Sequence, residues 1–144
     1  MRMLAAALAL VLSTCGGSSE ITFSDVETQT ARFIEWESSI KLTPDQERVK
    51  KVALEAIPAS CCSNNSAYTC CCPCNMSRSI WGLSAYMIVN QEASALDVRE
   101  KVQDWQKFIA PDGHSGKTCY TAGGCQRPFS KDGCGGMNPN QVVF

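Results

Sequence analysis

The sequence lacks several features that mark large functional classes. Its 13 basic and 14 acidic residues leave a net charge of −1, and it contains a single histidine, His114. This balance offers no basic patch for nucleic acid or for an anionic membrane surface, so we expect no nucleic-acid partner. The residues of a Ser-His-Asp triad cannot be assembled convincingly, and no phosphate-binding glycine loop is present. Hydrolase and nucleotide chemistry are therefore disfavoured.

Long apolar runs are missing except at the N-terminus. The stretch "MRMLAAALALVLSTC" has one positive charge at Arg2, an apolar run from Leu4 to Leu12, and then small residues. This pattern predicts a secretory signal peptide over residues 1–14. The run is shorter than the roughly 20 apolar residues that cross a bilayer. We therefore expect a mature chain that is not an integral membrane protein.

The end of this leader, "LSTC" at residues 12–15, resembles the bacterial lipobox, although Thr14 stands where that motif has Gly, Ala or Ser. The resemblance implies that Cys15 is lipidated and becomes the new N-terminus. The membrane would then be a partner through the lipid anchor, at the periplasmic or extracellular face of the bacterial cell envelope. The alternative is ordinary cleavage near Ser13, which leaves Cys15 as a plain thiol. Residues 16–19 are a Gly/Ser tether.

Cysteine is the residue in excess, with ten among 144 residues. This density approaches that of disulfide scaffolds in secreted chains, and an envelope location permits disulfides. If Cys15 carries lipid, nine cysteines remain, and an odd number cannot pair completely within one chain. At least one thiol would then be free, bound to a metal or paired with another molecule.

Helical signals occupy residues 43–110, which we assign to one helical domain with a cysteine-rich loop at 61–74. Thr43, Pro44 and Gln46 form a capping box that predicts a helix ending at Pro58. A second helix is expected from about Asn75 to Val89, and a third begins at a cap on Ser94 and ends before Pro111. The expected buried stripes are Val49, Val52, Ala56 and Ile57; then Ile80, Leu83 and Met87; then Val98, Val102, Trp105 and Ile109.

These signals predict an all-α fold in which three helices flank the loop and the last two form an antiparallel hairpin. Residues 15–42 hold the anchor, the tether and a weak N-terminal element, for which a short helix capped from Ser24 to Glu27 is preferred. The large aromatic residues are expected in the core: Trp81, Tyr86, Trp105 and Phe108.

Residues 111–144 are rich in Gly, Pro, Asn and Ser and show no apolar periodicity. Such a segment cannot be ordered by burial, because too little apolar surface offsets its conformational entropy. We therefore predict an irregular tail that folds back, so that a sulfur of Cys119, Cys125 or Cys134 meets the cysteine-rich loop.

The run "TCCCPCN" at residues 69–75 places a C-x-P-C pair, Cys71 and Cys74, directly before a helix. Unpaired N–H groups at a helix N-terminus stabilise a thiolate, which is the attacking species in disulfide exchange. Cys71 would then be the nucleophile and Cys74 the resolving thiol. The same spacing also suits two ligands of one metal ion.

Adjacent cysteines favour metal binding over stapling, because a disulfide requires Cα atoms about 4.4–6.8 Å apart with suitable Cβ directions. Clustered thiolates suit a soft metal, Zn²⁺ or Cu⁺. The favoured function is thus soft-metal binding by an envelope lipoprotein; the alternatives are a Cys71/Cys74 oxidoreductase and a purely disulfide-stapled module. A lone loop histidine is more often solvent-exposed than ligating. The candidate ligands are Cys61, Cys62, Cys70, Cys71, Cys72, Cys74, Cys119, Cys125, Cys134 and His114.

The layout of signal, short helix, C-x-x-C and two further helices resembles the periplasmic thiol-reductase subunit of cytochrome c maturation. The matching parts within residues 43–110 are Cys71 and Cys74, "NMSRSI" and "LDVREKV". The resemblance implies a three-helix domain that reduces a thiol-containing envelope protein. The stretch "EAIPASCC" is also similar to lipoproteins with a PCYCGC motif, in which a helix ends in Ile-Pro before clustered cysteines, although the PCYCGC string itself is absent.

Overall fold

The protein is all-helical, as the sequence predicts. The computed structural model describes residues 20–70, 72–118 and 123–144. Within these ranges lie four α-helices and two short 3-10 turns, and no β-strand. The helices are α1 (Val26–Ser39), α2 (Pro44–Glu55), α3 (Asn75–Asn90) and α4 (Ala95–Ile109). None of the helices in the described part of the chain is both long and apolar enough to cross a membrane.

Side-chain caps begin two of the helices where the sequence predicts. The Thr43 hydroxyl accepts from the Gln46 N–H at the start of α2, and the Gln46 side chain accepts from the Thr43 N–H. The same reciprocal pair joins Ser94 and Asp97 at the start of α4. Both caps satisfy N–H groups that have no partner inside the helix.

The weak N-terminal element is a full helix of 14 residues, so the domain has four helices rather than three. Its cap is Asp25, whose carboxylate accepts from the Thr28 N–H; the predicted Ser24–Glu27 box is therefore wrong. Helix α1 packs more extensively against α3 than any other pair of helices does. Gly82 permits this approach, because a Cβ there would lie 1.7 Å from the Phe33 carbonyl oxygen.

Helix α4 supplies the centre of the core. Its predicted stripe is confirmed: Val98, Val102, Trp105 and Ile109 are all buried. The Trp105 indole N–H donates to the Ser79 hydroxyl at 3.1 Å, so its polar group is satisfied. The other three aromatic residues expected in the core are only partly covered, and Phe108 is 37% exposed. Tyr86 instead stacks on Trp36 of α1, with ring centroids 3.9 Å apart.

The predicted apolar stripe of α2 is partly wrong. Val52 is 63% exposed and Ala56 is exposed, whereas Ala53, Leu54 and Ile57 are buried. Because α2 contacts both α3 and α4, its buried face is set by where those two helices lie. Intrahelical spacing alone does not contain that information.

The described tail lies against the N-terminus of α3. The Asn75 N–H donates to the Gly136 carbonyl at 2.9 Å, and the Met76 N–H donates to the Cys134 carbonyl at 3.0 Å. The fully buried Asn75 side chain adds bonds to the carbonyls of Gly135 and Asn138. The tail thus satisfies first-turn N–H groups that have no partner inside the helix.

Candidate functional site

The loop between α2 and α3 positions the first two sulfurs of the site. Its base is closed by hydrogen bonds from the Ala59 N–H to the Asn65 carbonyl and from the Ala67 N–H to the Ile57 carbonyl. The Cys61 carbonyl accepts from the Thr118 N–H at 2.9 Å, which ties this loop to the start of the tail. These bonds fix the backbone from which Cys61 and, after the turn, Cys70 project inward.

The third sulfur belongs to the N-cap residue of α3, Cys74. Its Sγ lies 3.4 Å from the Ser77 hydroxyl, and both side chains are buried. A helix N-terminus favours negative charge, because the peptide dipoles align toward it. A thiolate beside this end of α3 is therefore favoured by the helix.

The fourth sulfur comes from the tail. The Cys134 N–H donates to the Gly124 carbonyl at 2.9 Å, while the Cys134 carbonyl accepts from α3. Gly135, next to it, has φ +73°, and a Cβ there would lie 2.4 Å from the ring of Phe129. The glycine at this position lets the backbone turn between Phe129 and α3 and brings Cys134 to the loop.

The four sulfurs form a closed set, which we call the thiol ring: Cys61, Cys70, Cys74 and Cys134. Cys61, Cys70 and Cys74 line one cavity, and the thiols of Cys70 and Cys134 each interact with those of Cys61 and Cys74. We therefore describe Cys70 and Cys134 as opposite corners of the ring. Three members are nearly inaccessible, with exposures of 3% for Cys61, 1% for Cys74 and 0% for Cys134. Cys70 is partly exposed.

The hydrogen bonds divide the charge within the thiol ring. Bonds from Cys61 and Cys74 hold the pKa of Cys70 well below the ordinary value of 9.0. The bonds of Cys134 to the same two cysteines, together with burial, raise the pKa of Cys134. For Cys61 and Cys74, the bond with Cys134 lowers the pKa, but the bond with Cys70 and burial outweigh it. Within the ring, negative charge is thus favoured at Cys70 and disfavoured at the other three cysteines.

A small cavity of about 10 Å³ adjoins the thiol ring. This is close to the volume that one water-sized sphere requires. Its walls are mostly apolar apart from the sulfurs and two hydroxyls. The lining residues are Ala59, Ser60, Cys61, Ala67, Cys70, Cys74, Met76, Ser77 and Ile80.

The sulfurs do not stand as a preformed metal centre. Among the described residues, no group of three or more His, Cys, Asp or Glu side chains could hold a metal ion as it stands. A zinc ion would draw each sulfur to about 2.3 Å and hence neighbouring sulfurs to about 3.8 Å from one another. Binding of a metal ion would therefore displace the protons of the four thiols and bring the sulfurs closer to one another around the ion.

Three other predicted cysteine ligands fall within the described residues. Cys62 is partly exposed, and its Sγ accepts from the Asn65 side-chain amide at 3.3 Å. Cys72 is partly exposed and Cys125 is buried, and each has an interaction of its own. Cys71, Cys119 and the proposed lipidation site, Cys15, fall outside the described residues.

His114 lies beside Asp132, where its Nδ1 is 3.8 Å from the carboxylate oxygen Oδ1. Its side chain is only 11% exposed, so the expectation of a solvent-exposed loop histidine is wrong. Burial lowers the pKa of His114, against the opposing effect of Asp132. The residue lines a cavity of about 530 Å³ together with Lys107 and is not among the bonded partners of the thiol ring.

Two residues that matter to the site were not singled out by the sequence. Ser77 contacts the ring sulfurs, and Asn75 holds the tail that carries Cys134. Their positions in the first turn after Cys74 are a weak signal, because polar residues are common there for capping reasons alone. Comparison with protein-family models, with curated proteins and with solved structures finds no match for the chain.

Proposed function

We propose that this protein binds one soft metal ion, Zn²⁺ or Cu⁺, through the thiolates of the thiol ring. The observation that carries the proposal is the convergence of four thiols, three of them buried, from three separate parts of the chain: the loop, the α3 N-terminus and the tail. Thiolate sulfur selects these soft ions, and four thiolates are a common ligand set of structural zinc.

The surroundings of the ring support this proposal. The α3 N-terminus and the Ser77 hydroxyl favour negative charge on the sulfurs. The adjoining cavity is too small for an organic ligand, which usually needs several hundred Å³. Four thiols in this setting gain little from one another, because S–H groups are weak donors. A metal ion would replace those weak bonds with strong ones.

The two alternatives have less support. An oxidoreductase based on Cys71 and Cys74, as in the cytochrome c maturation subunit, needs Cys74 as its resolving thiol, and Cys74 interacts with Cys70 and Cys134. A purely stapled module would need disulfides, and five described cysteines form none: Cys61, Cys62, Cys70, Cys74 and Cys134. Of these two alternatives, reduction of a thiol-containing envelope protein is the second hypothesis after metal binding.

We also propose that the protein acts in the bacterial cell envelope, held to the membrane by lipid on Cys15. The support is the leader and the lipobox-like "LSTC". Labelling with a fatty-acid analogue should mark the parent chain and not Cys15→Ala, which should move to the soluble envelope fraction. Equal labelling of both chains would contradict the anchor.

Metal analysis of protein purified without oxygen tests the metal proposal. We expect one zinc or copper ion per chain, and we expect substitution of a ring cysteine to remove it. Co²⁺ added to the metal-free protein should give sulfur-to-cobalt charge-transfer bands. Cys134→Ser removes one ligand and should weaken Co²⁺ binding by more than the roughly 10- to 100-fold typical of changes around the ligands. Cys62→Ser is the matched control, since it removes a partly exposed thiol outside the ring.

Two results would contradict the proposal. One is a reduced, folded protein that contains no metal and shows no charge-transfer band with Co²⁺. The other is equal loss of Co²⁺ affinity in Cys62→Ser and Cys134→Ser, because the ring would then not be the ligand set.

A further inference from the structure

The members of the thiol ring differ in access to solvent. Cys70 is partly exposed, whereas the other three are at most 3% exposed. Thiol–disulfide exchange requires that the attacking sulfur reach a disulfide from outside, so access is one of its controls. The one member that is partly exposed also has two other members as direct neighbours, Cys61 and Cys74.

We propose that Cys70 is a reaction site for small disulfides, through which the ring exchanges its bound metal for two disulfide bonds. This inference rests on the proposed metal binding and adds a substrate class and a mode of release to it. The protein would then hold the metal under reducing conditions and release it when disulfides accumulate.

The chemistry balances with two molecules of a small disulfide, R–S–S–R. The Cys70 sulfur attacks one sulfur of the first molecule; the S–S bond breaks, one RS⁻ leaves, and a mixed disulfide forms at Cys70. A ring neighbour, Cys61 or Cys74, then attacks the Cys70 sulfur and expels the second RS⁻. Two protein thiolates are oxidised by two electrons, and the small disulfide is reduced to two thiolates.

Cys134 then attacks the neighbour that is paired with Cys70, Cys61 or Cys74; it forms a disulfide with that neighbour and frees the Cys70 thiolate. Cys70 attacks a second molecule of R–S–S–R, one RS⁻ leaves, and the last ring thiolate expels the other RS⁻ as it pairs with Cys70. The metal ion has then lost all four thiolates and leaves with its oxidation state unchanged, because the electrons came from sulfur. The released RS⁻ ions take up protons from solvent according to their own pKa values.

The ring geometry restricts the products. Cys70 and Cys134 each interact with both Cys61 and Cys74, so a disulfide between Cys70 and either neighbour leaves the other neighbour beside Cys134. These products are Cys61–Cys70 with Cys74–Cys134, and Cys70–Cys74 with Cys61–Cys134. A Cys70–Cys134 bond would join opposite corners, and we expect it to be absent.

The test uses the full chain, loaded with one equivalent of Zn²⁺ without oxygen and then treated with 2-hydroxyethyl disulfide. Zinc release is followed with a chromogenic chelator, and the sites of modification are mapped by mass spectrometry over time. We expect the first mixed disulfide within the ring to form at Cys70, and one zinc ion to be released as two adjacent-pair disulfides appear.

Variants sharpen this test. In the metal-free, reduced chain, Cys70→Ser should slow oxidation of the other ring cysteines at least about tenfold, because they are buried. Cys62→Ser should leave the rate unchanged, and far-UV circular dichroism should show that both variants fold like the parent.

The outcomes separate the two proposals. A chain that never takes up zinc contradicts the proposed function. A chain that binds zinc but keeps it in the presence of the disulfide contradicts only this inference. So does a Cys70–Cys134 product, ring modification that begins at a buried cysteine, or a Cys70→Ser variant that oxidises at the parent rate.

Discussion

The helices and the cysteine-bearing segments of this protein are held together in different ways. The helices bury large apolar side chains such as Trp105, Phe33 and Leu83. The cysteine loop and the tail are tied mainly by backbone hydrogen bonds, by Asn75 and by sulfurs that meet in the thiol ring. Phe129 is the largest fully buried side chain of the tail. Burial of apolar surface is therefore enough to hold the helices together, whereas the position of the tail depends on its contacts with α3 and with the thiol ring.

Removal of metal should separate the two regions most strongly. Structural zinc contributes about 10–16 kcal/mol in small zinc-finger peptides, so a chelator should undock the tail that carries Cys134. We expect protease cleavage after residue 110 to become much faster, while far-UV circular dichroism retains the helical signal. Addition of Zn²⁺ should restore protection. If the chelator abolished the helical signal as well as the protection of the tail, the helices and the tail would not differ in how they are held.

A substitution in the core should act on the helices themselves. Trp105→Ala removes a side chain with no exposed surface and should lower the free energy of unfolding by about 3–5 kcal/mol. Urea denaturation of the reduced, metal-free protein measures this change. Phe108→Ala is the control on the same helix; its side chain is 37% exposed, and we expect a smaller loss of about 1–2 kcal/mol. Equal losses would mean that α4 does not bury the predicted face.

Asn75 tests the contact between the regions. Asn75→Ala removes two hydrogen bonds to tail carbonyls and should cost about 1–3 kcal/mol, because those carbonyls lose their buried donor. Amide hydrogen exchange should rise in residues 133–139 and remain slow in α4. Asn90→Ala is the matched control, since Asn90 is exposed and bonds only within its own helix. Similar exchange in both variants would show that Asn75 does not hold the tail.

The smallest effect is expected on the exposed side of α2. Val52→Ala should change the free energy of unfolding by less than about 0.5 kcal/mol, because Val52 is 63% exposed. Leu54→Ala, two residues later and fully buried, should cost about 2–5 kcal/mol. The reverse order of these two losses would support the stripe predicted from sequence.

Local sequence signals carried most of the helical prediction. Capping residues such as Thr43 and Ser94 act on N–H groups three residues away, so their effect can be read without knowledge of the fold. The regular spacing of Val98, Val102 and Trp105 likewise identified a buried face. Helix α1 was underestimated because the apolar surface of Phe33 becomes useful only when Gly82 lets α3 approach.

The sequence by itself determined that the described part of the chain is helical, because periodicity and caps are local, and that cysteine is in excess, because composition needs no fold. Only the tertiary structure decided which of the described cysteines come together in the thiol ring. Cys74 and Cys134 are 60 residues apart in the chain, and their meeting depends on the bond between Met76 and Cys134 and on the buried Asn75. Cys62 directly follows Cys61 yet lies outside the ring, because adjacent side chains leave an irregular backbone in different directions.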